Sequence, residues 1–355
     1  MNKMPKVINQ HYVPQSYLKN FSPDRSQIFV FDKPNKRSFP THVKNIASER
    51  AFYDFPQSAT QPENIQIIEE IFSGLETKQS RLFQHLQKKI DGIYRLRLTP
   101  NQSTIIYSIN VLTEDQRQDL ACVVAIQFLR TKEFRKFIVE MRQVTEPLTN
   151  HILEETILEQ IKQFEELASV DIDQKLVSGI KSLIFDECTS IVSSMYDEGL
   201  AVIHTKFILN YYEQAAQIFN SHIWIIGVND TGQPLFTSDH PVVRHPYLSS
   251  SGIASEGIEI AFPINNKAIL IMREKQHFHK FTNQDNKLFP LTLEDVEHYN
   301  RLQIYNSNRF VFCSKDSFDL VKTVCQQQPE ICSEDRSRIQ ITNIEPQADD
   351  KDEQP

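Results

Sequence analysis

Hydrophobic residues recur along this chain at two spacings, and the points where the spacing changes divide it into three stretches. The first stretch is short and strand-like. Gln27–Asp32, QIFVFD, alternates β-branched and aromatic residues, ends in the turn-rich KPNKR, and is followed by RSFPTHV, which predicts a hairpin. From about Pro62 the period becomes helical: Ile65, Ile68, Phe72, Leu75, Leu82, Phe83 and Leu86 fall on one face up to Ile90, where Asp91-Gly92 should interrupt. A second helix is predicted after Thr113, which forms a capping box with Gln116, and continues through Ala121, Val124, Phe128 and Phe134 to near Met141. Residues 147 to about 219 read as two or three more helices, with breaks near Val170–Asp173 and at Gly199.

Beyond that block the pattern returns to strands. His222–Val228, Pro234–Asp239, Ile258–Ile264 and Ala268–Arg273 are short and β-branched or aromatic, and Asn229–Gly232 reads as a hairpin turn joining the first two. A helix boxed by Thr292 and Asp295 runs to about Asn306, and RFVFCS supplies a last strand. The fold class is therefore α+β: an N-terminal β-hairpin section, a central helical block, and a C-terminal mainly antiparallel sheet with one helix. No Gly/Ser or Pro-rich spacer interrupts the interior. Residues 1–346 are expected to form a single two-lobed domain, with its β section at 1–60, its helical block at 61–220 and its sheet lobe at 221–320. The tail 347–355, QADDKDEQP, is acidic without apolar anchors and should be disordered.

Composition narrows the functional classes. With 8 glycines and neither GxGxxG nor GxxxxGK[ST], the 355-residue chain offers no glycine-rich phosphate loop. Its net charge of −8 argues against a large nucleic-acid surface. A local cluster of Arg130, Lys132, Arg135 and Lys136 leaves room for nucleic acid or a phosphorylated small molecule as partner. The start MNKMPKVINQ lacks the apolar core of a signal peptide and no stretch reaches the ~18 apolar residues of a membrane span, so a cytoplasmic location without membrane contact is expected. Five cysteines without a CxxC pair fit reduced thiols better than a zinc site; a bridge between Cys325 and Cys332 is the lesser alternative. There is no GxSxG elbow, no HExxH and no catalytic-cysteine signature.

Three places carry candidate chemistry. In Gln10–Phe21, QHYVPQSYLKNF, a short helix opening at Pro14 would place His11 just outside its N-terminus, a position suited to an anion or carboxylate. His11 reads either as a metal ligand or general base, or as an imidazole bonded to a backbone carbonyl and packed on a neighbouring tyrosine. In Thr237–Pro241 a hydroxyl, a carboxylate and an imidazole follow one another at a strand end, reading either as a site on a rigid support or as a turn in which Ser238 or Asp239 caps its own backbone. Gln127, Arg130 and Thr131 interrupt an otherwise apolar helix. An inward Arg130 must be paired, with Asp239 or Glu76 as candidate partners, and it serves either as a phosphate clamp or as a structural ion pair. On the earlier helix Glu69, Glu70 and Glu76 form its solvated face, or else hold Mg²⁺ or Mn²⁺, with Glu76 beside the apolar stripe the better placed.

Taken in order, HYVP, IQFLRT, LFTSDHPVV, FPINNKAILI and YNRLQIYNSNRFVF resemble the family called domain of unknown function 4238, over about residues 9–314. The family pattern more often has Asn where this chain has His240. The resemblance implies a bacterial cytoplasmic protein and no substrate. From the residues themselves the expected activity is metal-assisted phosphodiester hydrolysis of the nuclease kind. His11, Glu76 and Asp239 would surround a divalent ion, and Arg130, Gln127, Ser238 and Tyr12 would hold substrate. The alternative is a non-catalytic binding or scaffold protein in which the same polar groups form a buried network joining its lobes.

Overall fold

The computed structural model describes residues 9–54, 67–96, 109–145 and 199–339. The helices expected between 147 and 198 and the acidic tail from 347 lie outside these residues. In chain order the N-terminal part comprises β1 (Asn9–His11), α1 (Gln15–Leu18), β2 (Gln27–Asp32), β3 (Arg37–His42) and β4 (Ser48–Arg50). Among the described residues four helices come next: α2 (Ile67–Leu96), α3 (Glu114–Leu129), α4 (132–145) and α5 (Leu200–Ser221). The remainder is β5 (Ile223–Asn229), β6 (Thr237–Ser238), β7 (Val243–Pro246), β8 (Ile258–Asn265), β9 (Ala268–Arg273), β10 (Lys287–Leu291), α6 (Leu293–Asn306), β11 (Phe310–Cys313) and α7 (Asp319–Gln327). The fold is α+β.

The five-stranded sheet has the order β10-β5-β9-β8-β7, with β10 parallel to β5 and the other pairs antiparallel. Every residue of the β5 strand is buried, because both faces of this sheet are covered. Trp224, Ile226, Leu270 and Met272 join a core with Leu120 and Val124 of α3 and Ile208 and Phe219 of α5. Ile223, Ile225, Ile269 and Ile271 face the other way, onto Val296, Tyr299 and Leu302 of α6. The alternation of a buried strand thus assigns successive residues to two helical layers. Gly227 permits the close approach this needs, since a Cβ there would lie 2.8 Å from both Ile269 Cγ2 and Leu291 Cδ2.

The expected turn Asn229–Gly232 does not make a hairpin. β5 already has β9 and β10 on its two sides, so no edge is free for the following segment. Asn229 instead shapes an irregular loop, accepting from the Thr231 amide at 3.0 Å and donating to Gln233 O at 2.6 Å. Of Pro234–Asp239 only Thr237 and Ser238 are strand, and they pair with β11 in a second sheet of order β3-β2-β11-β6. That sheet contains the predicted β2–β3 hairpin, so the N-terminal strands and the C-terminal part of the chain share one ladder.

Helix boundaries follow local chemistry more closely. The capping boxes at Thr113/Gln116 and Thr292/Asp295 form as the spacing predicts, and Gly199 is the N-cap of α5. Gly92 does not interrupt α2, which continues to Leu96. The helix expected to run unbroken to Met141 stops at Leu129, with Arg130 as its C-cap. Thr131 Oγ1 then accepts from the Phe134 amide at 3.2 Å and starts α4, while the Tyr53 hydroxyl donates to Arg130 O. The apolar period crosses this break without changing, so periodicity alone conceals it. Strands β1, β4, β7 and β10 lack comparable signals in the sequence and appear only in the structure, whereas helix α7 carries an apolar face of Leu320, Val321 and Val324 at helical spacing.

Candidate functional site

Pairing requirements of buried polar groups decide what each candidate residue does. Arg130 is 3 % exposed, and its guanidinium donates to Glu76 Oε1 at 3.1 Å through both Nη1 and Nη2. Nη2 also donates to the backbone carbonyl of His11 at 2.5 Å, and the group lies 4.0 Å from the centre of the Phe72 ring. Burial works against the charge, but Tyr53 and Glu76 outweigh it and hold the group above the ordinary arginine value. Gln127 donates to Tyr12 O at 3.2 Å, and Tyr12 is itself buried with its ring against Phe52. His11 ends β1, is half-buried, and is lowered in basicity by burial; its Nε2 has no hydrogen-bond partner among the described residues. Since α1 has four residues, it is too short to present the anion-binding N-terminus expected beside His11.

Asp239 is held elsewhere. Fully buried, it accepts from the amides of Asn308 at 2.8 Å, Arg309 at 2.8 Å and Phe310 at 2.9 Å, which pins the end of β6 to the start of β11. Burial pushes its pKa up to about 6, while these amides and the charge of Lys33 act in the opposite direction. Neither oxygen reaches Arg130. Ser238 Oγ is 2.7 Å from Gln303 Oε1 and accepts from the His240 amide at 3.2 Å, the local turn that one of the two sequence readings describes. Arg130 and Glu76 are thus brought together with the His11 backbone, whereas Asp239 and Ser238 serve a different junction. Among the described residues no group of three or more His, Cys, Asp or Glu is arranged to hold a metal ion, and His11, Glu76 and Asp239 are not gathered into one.

The basic cluster seen in the sequence is also spent internally. Lys132 pairs with Glu49 at 3.1 Å, Arg135 donates to His204 Nδ1 at 2.9 Å, and Lys136 donates to Glu334 O at 2.7 Å. With Arg130 on Glu76, each member of the run has a partner inside the fold, so it does not form an open basic face.

A different cationic site appears where the break between α3 and α4 meets the loop after β6. His240, Arg244, Arg336 and Arg338 line a cavity of about 240 Å³ together with Phe128, Glu133, Phe134 and Tyr305. His240 Nδ1 is 2.7 Å from Thr131 Oγ1, the hydroxyl that caps α4, so one side chain fixes both the helix start and the imidazole. Burial beside Arg244, Arg336 and Arg338 holds the His240 pKa down at about 3, which keeps the ring neutral. Arg336 and Arg338 arrive on an extended segment anchored by Glu140, which accepts from the Ile339 amide at 3.0 Å and from the Arg338 amide at 2.8 Å. Their guanidinium groups share Glu133, at 2.6 Å and 3.0 Å. Arg244 reaches the cavity from β7, with Nη1 donating to Ser251 O at 2.8 Å and its guanidinium carbon 5.3 Å from the centre of the Phe128 ring.

Three guanidinium groups therefore face one carboxylate, Glu133, in this lining. Among the described residues, Arg336 Nη1 and Arg338 Nε have no hydrogen-bond partner. Both atoms are closed to solvent. Chemically the arrangement suits a compact anion with several acceptor oxygens.

Residues 9–317 match the family described as Protein of unknown function (DUF4238). The chain belongs to that family. Neither a curated protein nor a solved structure matches it. The matched stretch contains Glu133, His240 and Arg244, and it ends before Arg336 and Arg338, so the cavity is closed by residues beyond the family match. Among the described residues no helix is long and apolar enough to cross a membrane. Of the cavity residues, reading the sequence singled out only His240. Arg336-Ser337-Arg338 carries the one available signal, two arginines at alternate positions of an extended segment, where side chains point to the same side. Glu133 and Arg244 sit in unremarkable contexts, and only the fold brings them together.

Proposed function

We propose that this protein binds a small phosphate-bearing ligand, of the phosphate monoester class, in the cavity between His240, Arg244, Arg336 and Arg338. The supporting observation is the imbalance of charge: three arginines and one carboxylate line a concave site in a chain whose overall charge is −8. A phosphate dianion supplies acceptors to guanidinium donors in the planar, two-pronged geometry they favour. Neutral His240 adds a polar wall without adding charge. The phosphate chemistry expected from the sequence is kept, and its place moves from Arg130 to this cavity. Cleavage is not part of the reading, because the only carboxylate in the lining is held by two arginines.

Calorimetric titration with inorganic phosphate and with a simple phosphate monoester tests the proposal, alongside thermal unfolding. Arg244→Gln is the informative variant, since Arg244 has no ion pair among the described residues and is partly exposed. Affinity should fall about tenfold or more, equivalent to about 1.4 kcal/mol. The proposal fails if neither compound shifts the unfolding temperature of the parent, or if the variant binds as tightly as the parent.

A second reading concerns His11, Gln127, Arg130 and Asp239, whose role we take to be structural. It rests on their partners: backbone carbonyls and amides of other segments, joined through Glu76, Tyr12 and the start of β11. These contacts are two separate junctions rather than the single network expected as the alternative: Arg130, Gln127 and Glu76 tie the N-terminal segment to the helices, and Asp239 ties β6 to the neighbouring β11.

A further inference from the structure

Two adjoining cavities lie on a different part of the surface, where the turn between β8 and β9 meets the segment that follows α1. One has a volume of about 410 Å³ and the other about 490 Å³, and they share Asn20, Ser22, Asn266 and Lys267 in their walls. Lys19, Arg25, Lys88, Lys267 and Lys315 line the pair, and Asp230 is the one carboxylate. Among the described residues, Lys19, Arg25, Lys88 and Lys267 form no ion pair, in contrast to the run from Arg130 to Lys136, where every cation is partnered.

The walls are preorganised. Asp24 Oδ1 accepts from the Ser26 amide at 2.9 Å and from the Gln27 amide at 2.7 Å, while Arg25 is held at φ 60°, a conformation that costs a non-glycine residue energy. That turn keeps Arg25 at the rim without an internal partner. Opposite it, Asn265 Nδ2 donates to Gln87 Oε1 of α2, and the Lys267 amide donates to Asn265 Oδ1 at 2.7 Å, so the turn carrying Lys267 is fixed to the helix carrying Lys88. Carboxamides, among them Asn20, Gln84, Gln233 and Asn266, fill the spaces between the cations.

We infer that this double cleft binds single-stranded nucleic acid. The unpartnered cations would follow the phosphates, and the carboxamides offer paired donors and acceptors to base edges. Each cavity has the volume of a small-ligand pocket, so it admits a nucleotide unit but not the convex rod of a duplex. An acidic peptide could satisfy both the cations and the carboxamides, so polyglutamate is the competitor that separates the two partners.

The test is fluorescence anisotropy with labelled single strands about 12 nucleotides long, within the usual site sizes, at salt from about 50 mM to about 200 mM. The parent should bind with affinity falling as salt rises. The Lys19→Glu/Lys88→Glu/Lys267→Glu variant, its fold checked by circular dichroism, should bind at least about tenfold more weakly. Its salt slope should be shallower by about 0.7 for each phosphate no longer neutralised. The corresponding Lys→Gln variant should fall between the two. Arg244→Gln should bind the strand as the parent does, and an equal loss there would move binding to the arginine cavity and overturn the inference. So would no binding by the parent at low salt, an unchanged salt slope in the triple variant, or equal competition by a duplex or by polyglutamate.

Discussion

Replacing His240 by Asn probes the electrostatics of the arginine cavity without a ligand. The imidazole is 5 % exposed, and burial together with Arg244, Arg336 and Arg338 holds its pKa down at about 3. In the unfolded chain it titrates at about 6.5. Between these values the unfolded state takes up a proton that the folded state refuses, so the stability associated with neutral His240 is fully present above about pH 6.5 and is lost as pH falls. One pH unit corresponds to about 1.4 kcal/mol, so the loss at about pH 5 relative to neutrality is about 2 kcal/mol. Asn retains a polar group for Thr131 Oγ1 and cannot titrate. Parent and variant share every other titrating group, including His204, also held at about 3, and Asp239, at about 6, so the difference between their pH dependences isolates position 240. Urea unfolding at about pH 7 and about pH 5 should show the parent losing about 2 kcal/mol more than His240→Asn. Equal losses would mean that folded His240 accepts its proton freely, refuting the account of the cavity as buried and strongly cationic. A phosphate in the cavity should offset the arginine field and raise the His240 pKa. Binding at about pH 5 should then be accompanied by proton uptake, visible calorimetrically in buffers of different ionisation enthalpy.

Other perturbations follow from individual contacts. Asp239→Ala leaves three amide donors without their acceptor, one buried and two partly buried, and should cost about 3 kcal/mol in urea unfolding; a loss below about 1 kcal/mol would contradict its role as the pin between β6 and β11. Glu76→Gln removes the countercharge of a buried guanidinium but at a carboxylate whose side chain is 32 % exposed, so the loss should be about 2 kcal/mol rather than that of a fully buried pair. Phosphate affinity measured on the same variant should not change, which separates Arg130 from the ligand site. Gly227→Ala drives a methyl group to 2.8 Å from Ile269 and Leu291 within the central sheet and should destabilise by about 1–3 kcal/mol, read as a lower unfolding temperature.

The sequence by itself determined the parts that rest on contacts a few residues apart. The capping boxes at Thr113 and Thr292, the hairpin of β2 and β3 and strands β5, β8 and β9 of the central sheet have their determinants within about one turn or one strand, so spacing and turn chemistry expose them. Tertiary structure decided where those determinants are overruled. The segment after Asn229 leaves its neighbour because β9 and β10 already flank β5, and the helix through Arg130 breaks because Tyr53 takes one of its carbonyls and Thr131 caps the next helix. Site residues divide in the same way. Arg130 in an apolar helix announced that it needed a partner, and Glu76 is one of the two acids the sequence offered, but the choice between Glu76 and Asp239 depended on which carboxylate the fold left in reach. The run from Arg130 to Lys136 looked basic because adjacent charges are visible in a sequence and their distant partners are not. Conversely, His240, Arg244 and Arg336 are distant or unremarkable in the chain and share one cavity because β6, β7 and the segment after α7 converge on the break between two helices. A charge reads out in sequence; its field depends on everything folded around it.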